Sequence, residues 1–109
     1  MAGEPRMTTA VARVLAAMLA DPAVPRYGLD LMQDTGLASG TLYPILLRLE
    51  RAGWVASQWE EIDPVAEGRP SRRYYHLTPE GTAGARRELA LLHQQLARAT
   101  GVVGRAREA

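Results

Sequence analysis

The residues of this chain best suited to chemistry are its arginines. All 13 basic residues are arginine, and two groups lie close together in sequence, Arg48 with Arg51 and Arg69 with Arg72 and Arg73. A guanidinium group donates paired hydrogen bonds to a phosphate or to a guanine edge. The formal net charge is only +1, so any affinity for nucleic acid must come from these local groups and not from the charge of the whole chain.

Catalysis and metal binding find little support in the sequence. The chain has no cysteine, which excludes disulfides, thiolate zinc sites and cysteine nucleophiles. Its two histidines, His76 and His93, fall in different predicted elements. Asp30 and Asp34 share a helix face, but no further ligand accompanies them. We therefore expect no enzyme, no cofactor and no metal site.

Length and composition are those of one globular domain. The chain has 109 residues, of which 47% are hydrophobic and 23% charged. Residues 1 to 7 contain no hydrophobic signal core, and the apolar run from Val14 to Leu19 is too short to span a bilayer. We expect a cytoplasmic protein without a membrane segment.

Apolar residues at steps of three and four predict three helices in the first half of the chain. The first covers residues 8 to 20, and the second begins near residue 26 or 27 and ends near 34, before a break at 35–36. The third has Ser39 or Thr41 as its N-cap, Pro44 in its first turn and Gly53 at its end.

The third helix has an apolar and a polar face. Its apolar stripe consists of Leu42, Ile45, Leu46 and Leu49. On a wheel of 3.6 residues per turn, the outward face then holds Gly40, Pro44, Leu47, Arg48 and Arg51, flanked by Thr41 and Tyr43. Such a face suits DNA phosphates and base edges. It equally suits a solvated helix whose arginines pair with nearby glutamates, and these residues alone leave both interpretations open.

Two strands are predicted after the third helix. Residues 54–59 alternate in polarity, residues 72–77 form the partner strand, and residues 63–71, with two prolines and a glycine, form the hairpin tip. The resulting order of elements is that of a winged helix-turn-helix, in which the third helix enters the major groove and the hairpin is the wing. Arg69, Arg72 and Arg73 make this predicted wing basic, although Asp63 and Glu67 dilute its charge.

The last predicted helix begins at Thr78, where threonine caps and Pro79 occupies the first helical position. It carries a heptad-like apolar seam of Ala85, Leu89, Leu92, Leu96, Ala99 and Val103. Such a seam requires a partner helix. We therefore divide the chain into a winged helix-turn-helix unit, residues 1–78, and a dimerisation helix with its tail, residues 79–109; the fold class is mainly α with a small β-hairpin.

Several motifs of this sequence resemble the PadR family of transcriptional regulators. They are Tyr-Gly at 27–28, Ser-Gly-Thr-Leu-Tyr-Pro-Ile-Leu at 39–46, Arg-Leu-Glu at 48–50, Gly-Trp-Val at 53–55, Gly-Arg-Pro at 68–70 and Arg-Tyr-Tyr-His-Leu-Thr-Pro-Glu-Gly at 73–81. The resemblance covers roughly residues 26 to 81. The single helix after the wing is similar to the family's small subgroup, which dimerises through that helix and often through the first.

The resemblance implies a homodimeric regulator, commonly a repressor, that leaves an inverted-repeat DNA operator when a small molecule or another signal arrives. It implies DNA contacts by Ser39, Thr41, Tyr43 and Pro44 and by the wing arginines, with Tyr43 on a phosphate. Binding of a drug between tryptophans of the last helix, as in some small members of the family, is not expected, because residues 82–100 contain no tryptophan, tyrosine or phenylalanine. Candidate lining for an effector pocket at the dimer interface is Met7, Val11, Leu15, Leu89, Leu92, His93 and Leu96, each of which also suits a plain core.

A second interpretation keeps the fold but changes the partner. A winged helix can also serve as an architectural or protein-interaction module, and the outward Leu47 suits a protein groove. A sequence-specific DNA reader is distinguished by duplex binding that weakens steeply with salt and prefers one site.

Overall fold

The computed structural model describes residues 4–101 of the chain. In this range the elements are α1 (Thr9–Leu19), β1 (Arg26–Tyr27), α2 (Gly28–Thr35), α3 (Ser39–Arg51), β2 (Val55–Trp59), α4 (Pro64–Glu67), β3 (Arg73–Leu77) and α5 (Pro79–Thr100). The fold is mainly helical with a small three-stranded antiparallel sheet in the order β1-β3-β2. This arrangement confirms the predicted winged helix-turn-helix with a helix after the wing.

The core forms where α1, α2 and α3 pack together with residues of β2, β3 and α5. The predicted stripe of α3 is confirmed, since Leu42, Ile45, Leu46 and Leu49 are at most 2% exposed. They pack with Val14 and Leu15 of α1 and Leu31 of α2. Burying each of these side chains contributes about 1.5–3 kcal/mol. Because this stripe is buried, the opposite face of α3 points away from the core.

The predicted start of the second helix is wrong by one or two residues. Arg26 and Tyr27 form β1, which pairs with Tyr75 and Tyr74 of β3, and α2 begins only at Gly28. A two-residue strand is too short to show alternation, so the sequence pattern could not indicate β1. The predicted length of about two turns is confirmed, and Gly36 ends the helix with φ 74°.

The start of α3 also differs from the prediction. The N-cap is Ala38, which makes no side-chain hydrogen bond, so neither Ser39 nor Thr41 caps the helix. Pro44 therefore lies beyond the first turn, and the hydrogen bond that its missing amide would make to the Gly40 carbonyl is lost. Both residues are exposed, so solvent can reach that carbonyl in place of the amide.

The wing is the hairpin of β2 and β3 with the connecting residues 60–72. Its strands pair in an antiparallel register from Val55 opposite Leu77 to Trp59 opposite Arg73. β3 begins one residue later than predicted. The predicted irregular tip contains the single-turn α4, whose N-cap Asp63 accepts a 3.0 Å hydrogen bond from the Val65 amide.

The corner between α3 and β2 fixes the beginning of α5. Thr78 caps α5 by accepting a 3.0 Å hydrogen bond from the Gly81 amide, and its own hydroxyl donates to the Gly53 carbonyl at 2.7 Å. The buried Trp54 packs against Gly81 and Gly84, and a Cβ at either glycine would collide with it. The glycines are therefore required by this close approach, and Trp54 belongs to the core.

The second half of α5 leaves the body of the domain. Ala85 is fully buried, Leu89 and Leu92 are half-buried, and Leu96 is 57% exposed. The fold extends 63 Å along its longest axis. No helix within residues 4–101 has the length and apolar character needed to cross a membrane. The predicted seam residue Val103 lies outside the described residues.

Candidate nucleic-acid interface

The outward face of α3 is exposed to solvent. Every residue of α3 that was predicted to contact DNA is exposed: Ser39, Gly40, Thr41, Tyr43, Pro44, Arg48 and Arg51. Leu47 on the same face is exposed as well. Neither Arg48 nor Arg51 forms an ion pair with any residue in the range 4–101. The interpretation in which these two arginines pair with nearby glutamates is therefore not what the described part of the chain adopts.

Tyr43 is held by a contact with α2. A Cβ on Gly28 would collide with the Tyr43 hydroxyl and ring, so Gly28 is needed for the tyrosine to lie against the first turn of α2. Tyr43 nevertheless stays 44% exposed. Its hydroxyl thus lies beside the first turn of α2. The contact with Tyr43 therefore explains the glycine of the Tyr-Gly motif at 27–28.

Arg73 is braced between the wing and α3. Its Nε and Nη2 donate to the Ser57 Oγ at 3.0 and 2.7 Å, and Nη2 also reaches a Glu50 carboxylate oxygen at 3.2 Å. Ser57 in turn donates to Glu50 at 2.8 Å. The guanidinium lies 5.6 Å from the centre of the Trp59 ring, and its side chain remains 42% exposed. These contacts fix the position of a charge that solvent, and hence a phosphate, can still reach.

A second cluster, here named the wing clasp, consists of Tyr27, Glu60, Arg69 and Arg72. Glu60 accepts two hydrogen bonds from the Arg69 guanidinium at 2.6 and 3.1 Å and one from the Tyr27 hydroxyl at 2.8 Å. It also accepts a longer one, at 3.3 Å, from the Arg72 amide. The clasp joins β1, the end of β2 and the far side of the wing.

The wing clasp perturbs the titration of its members. The hydrogen bonds from Arg69 and then from Tyr27 lower the pKa of Glu60 from 4.5 to about 2. The same hydrogen bond to Glu60 raises the pKa of Tyr27 above its usual value. Glu60 is therefore a carboxylate throughout the physiological pH range, and its charge offsets that of Arg69.

Arg72 differs from the other two wing arginines. Its guanidinium lies 5.3 Å from the centre of the Tyr27 ring, and within residues 4–101 it makes no ion pair. The five predicted arginines thus separate into three without a carboxylate partner, Arg48, Arg51 and Arg72, and two with one, Arg69 and Arg73. The partners Glu50 and Glu60 were not predicted, because strand register and not sequence spacing brings them close.

The two aspartates considered for metal binding have structural roles. Asp30 accepts a 3.2 Å hydrogen bond from the Tyr27 amide at the start of α2. Asp34 pairs with Arg26 at 3.1 Å. No group of three or more histidine, aspartate or glutamate side chains within residues 4–101 is arranged to share a metal ion.

The predicted seam of α5 changes character along its length. Ala85 packs into the core, whereas Leu89 and Leu92 are only half covered, and Leu96 and Ala99 are exposed. Leu91, which lies outside the seam, is 46% exposed. Among the candidates for an effector pocket, Val11 and Leu15 are core residues with 3% and 0% exposure.

Comparisons with known proteins agree with this geometry. The family model described as the transcriptional regulator PadR-like family matches residues 15–87. The structure of smu.1704 from Streptococcus mutans UA159 is 28% identical with a TM-score of 0.69, covering 87% of this chain and 86% of that one. A PadR-like transcription factor from Bacteroides fragilis is 27% identical with a TM-score of 0.62, covering 83% and 87%.

A more distant structure shares the fold. A putative DNA-binding protein from Ralstonia eutropha JMP134 is 24% identical with a TM-score of 0.58, covering 75% of this chain and 96% of that one. No curated protein matches the chain significantly. The family is one of transcriptional regulators and not of enzymes. With its model matching well over half of the chain, and with α3, the wing and α5 in place, this protein belongs to the PadR-like family of transcriptional regulators.

Proposed function

We propose that this protein is a sequence-specific DNA-binding regulator that acts as a homodimer on an inverted-repeat operator. The observation that carries the proposal is the outward face of α3, where Arg48 and Arg51 are exposed without a carboxylate partner in the described residues. Two arginines left unpaired beside exposed hydroxyl groups have the chemistry to bind phosphates and guanine edges.

The proposed DNA surface combines α3 with the wing. Its residues are Ser39, Gly40, Thr41, Tyr43, Pro44, Arg48, Arg51, Arg69, Arg72 and Arg73. The amino-terminal half of α3 enters the major groove, and Tyr43 holds a phosphate beside the start of α2. From the wing, Arg72 and Arg73 contact the adjacent DNA backbone or the minor groove, where the negative potential of the phosphates attracts positive side chains.

The proposed dimer forms through residues 79–109, leaving residues 1–78 as the DNA-binding unit. The contact residues are Ala85, Leu89, Leu92, Leu96 and Ala99. Leu96 supports this proposal because it is an exposed member of the seam on a helix that projects from the body. Burial of such leucines against a second copy removes apolar surface from water, which favours association.

Regulation is proposed to be repression that a ligand or another signal relieves. A dimer holds its two recognition helices at a fixed separation, so a ligand that binds one arrangement of the protomers better shifts operator affinity. A ligand must differ in affinity between the two arrangements to have this effect. The selected operator described below gives the assay in which candidate effectors are screened.

The test is selection of duplex DNA from a random pool, followed by binding to the selected site at low and high salt. We expect an inverted repeat, with affinity that falls steeply as salt rises. Salt-sensitive binding without any enriched sequence would instead favour an architectural protein. Absence of binding at every salt concentration would favour a protein-interaction module, which the 48% exposure of Leu47 on α3 also suits.

A further inference from the structure

The wing clasp places an acidic side chain inside the proposed DNA surface. Glu60 lies between the wing arginines, and its side chain is only 14% exposed. A carboxylate at this place would by its charge alone repel the phosphate backbone. The four hydrogen bonds that its carboxylate accepts indicate a structural role that compensates for this repulsion.

Glu60 joins three segments that are far apart in the chain. Through Tyr27 it binds β1, and through Arg69 and the Arg72 amide it binds the returning arm of the wing. Tyr27 is also the residue directly before α2. The clasp therefore ties the wing to the helix-turn-helix, in addition to the strand pairing between β1 and β3.

Arg69 is committed to this cluster. Both of its terminal nitrogens donate to Glu60, and Nη1 also contacts the Pro70 carbonyl at 3.3 Å. Arg72, in contrast, keeps its guanidinium free of carboxylates in the described chain while its amide is held by Glu60. The clasp thus uses one arginine to fix the backbone from which the next two project.

We propose that Glu60 is a positioning residue for DNA binding, which acts by holding Arg69, Tyr27 and the Arg72 amide so that Arg72 and Arg73 face the same duplex as α3. This inference rests on the proposed function, since it concerns how the wing is aimed at DNA. Glu60 itself does not contact the nucleic acid. Arg69 contributes mainly through Glu60, and Arg72 and Arg73 make the phosphate contacts of the wing.

The proposal makes a prediction opposite in sign to simple electrostatics. Replacing Glu60 with glutamine removes a negative charge from the DNA surface, which by charge alone would strengthen binding. Loss of the clasp would instead release the wing. We expect Glu60→Gln to bind the selected operator about tenfold more weakly, and the slope of log affinity against log salt to fall by about 2 as two phosphate contacts are lost.

The matched control is Glu61→Gln, which removes the same charge one residue away. Glu61 is exposed and makes no ion pair in the part of the chain described. We expect its operator affinity to be unchanged or slightly higher. If Glu60→Gln binds as tightly as Glu61→Gln, the positioning role is wrong while the proposed function stands. If the wild-type protein binds no duplex, the proposed function fails, and this inference fails with it.

Hydrogen exchange separates positioning from a general loss of structure. In Glu60→Gln the amide of Arg72 is expected to exchange faster, while amides of α3 and α5 keep their protection. Should Glu60→Gln unfold, Tyr27→Phe removes one hydroxyl of the clasp and leaves the ring over which Arg72 lies. We expect this variant to stay folded and to bind several-fold more weakly, and unchanged operator affinity in it would overturn the proposal.

Discussion

Among single residues, the arginines without a carboxylate partner are the ones best suited to bind DNA. Arg48 projects from the exposed face of α3 and has no ion pair within residues 4–101. Arg73, although exposed, is braced by Ser57 and Glu50. A free guanidinium gains more from a phosphate or a guanine, since no internal ion pair has to be given up.

Replacing Arg48 with alanine tests this assignment. If Arg48 contacts a base, we expect operator affinity to fall about tenfold, which lies within the roughly 1–3 kcal/mol that a base contact contributes. If it contacts a phosphate, we expect the slope of log affinity against log salt to fall by about 1. Arg98→Ala is the control, because it removes the same charge from the far part of α5. Equal affinities of the two variants in a titration with labelled duplex would exclude Arg48 from the interface.

The titration of Glu60 gives a prediction about pH. Its folded pKa is lowered to about 2 from 4.5, so the stabilisation it supplies is complete above pH 4.5 and is lost as pH falls toward 2. The difference in unfolding free energy between wild type and Glu60→Gln should be constant from pH 5 to 8 and shrink below about 4.5. Denaturant titrations across this range measure it, and a difference that stays constant down to pH 2 would mean the clasp ion pair is absent in solution.

Among the helices and strands, the sequence predicted the ones that are long enough to show a repeat of apolar residues. The apolar stripes of α1 and α3 and the Thr78-Pro79 start of α5 are confirmed. β1 has two residues and α4 a single turn, so neither displays a repeat. The contacts of Glu50 with Arg73 and of Glu60 with Tyr27 join residues more than 20 positions apart, and only the observed strand register places them together.

The packing of α5 on the α3–β2 corner gives a stability prediction. Gly81→Ala places a methyl group against the Trp54 carbonyl, so we expect a loss of about 1–3 kcal/mol in the free energy of unfolding. Gly40→Ala is the control, since a Cβ there meets nothing within 4 Å and alanine favours helix by up to about 1 kcal/mol. Chemical denaturation that finds Gly81→Ala as stable as Gly40→Ala would contradict the observed approach of Trp54 to α5.

In the molecule as a whole, the second half of α5 exposes apolar side chains that no other part of the described chain covers. Leu96 is 57% exposed on the projecting half of the helix, so substituting it leaves the contacts of the domain core intact. We expect Leu96→Asp to give a folded monomer, because the dimer would have to bury an unpaired carboxylate. Gln94→Asp adds the same charge on the opposite side of α5 and should remain dimeric. Sedimentation equilibrium distinguishes them, and a dimer in Leu96→Asp would place the interface elsewhere.

In the proposed complex, two copies of this chain read one operator, each with α3 in the major groove and the wing beside it. Hydroxyl-radical footprinting of the selected duplex tests this arrangement. We predict two symmetric protected regions with centres about one helical turn, 10–10.5 base pairs, or a multiple of it apart, and protection of the flanking backbone that weakens in Glu60→Gln. A single asymmetric footprint, or uniform protection without boundaries, would contradict the account.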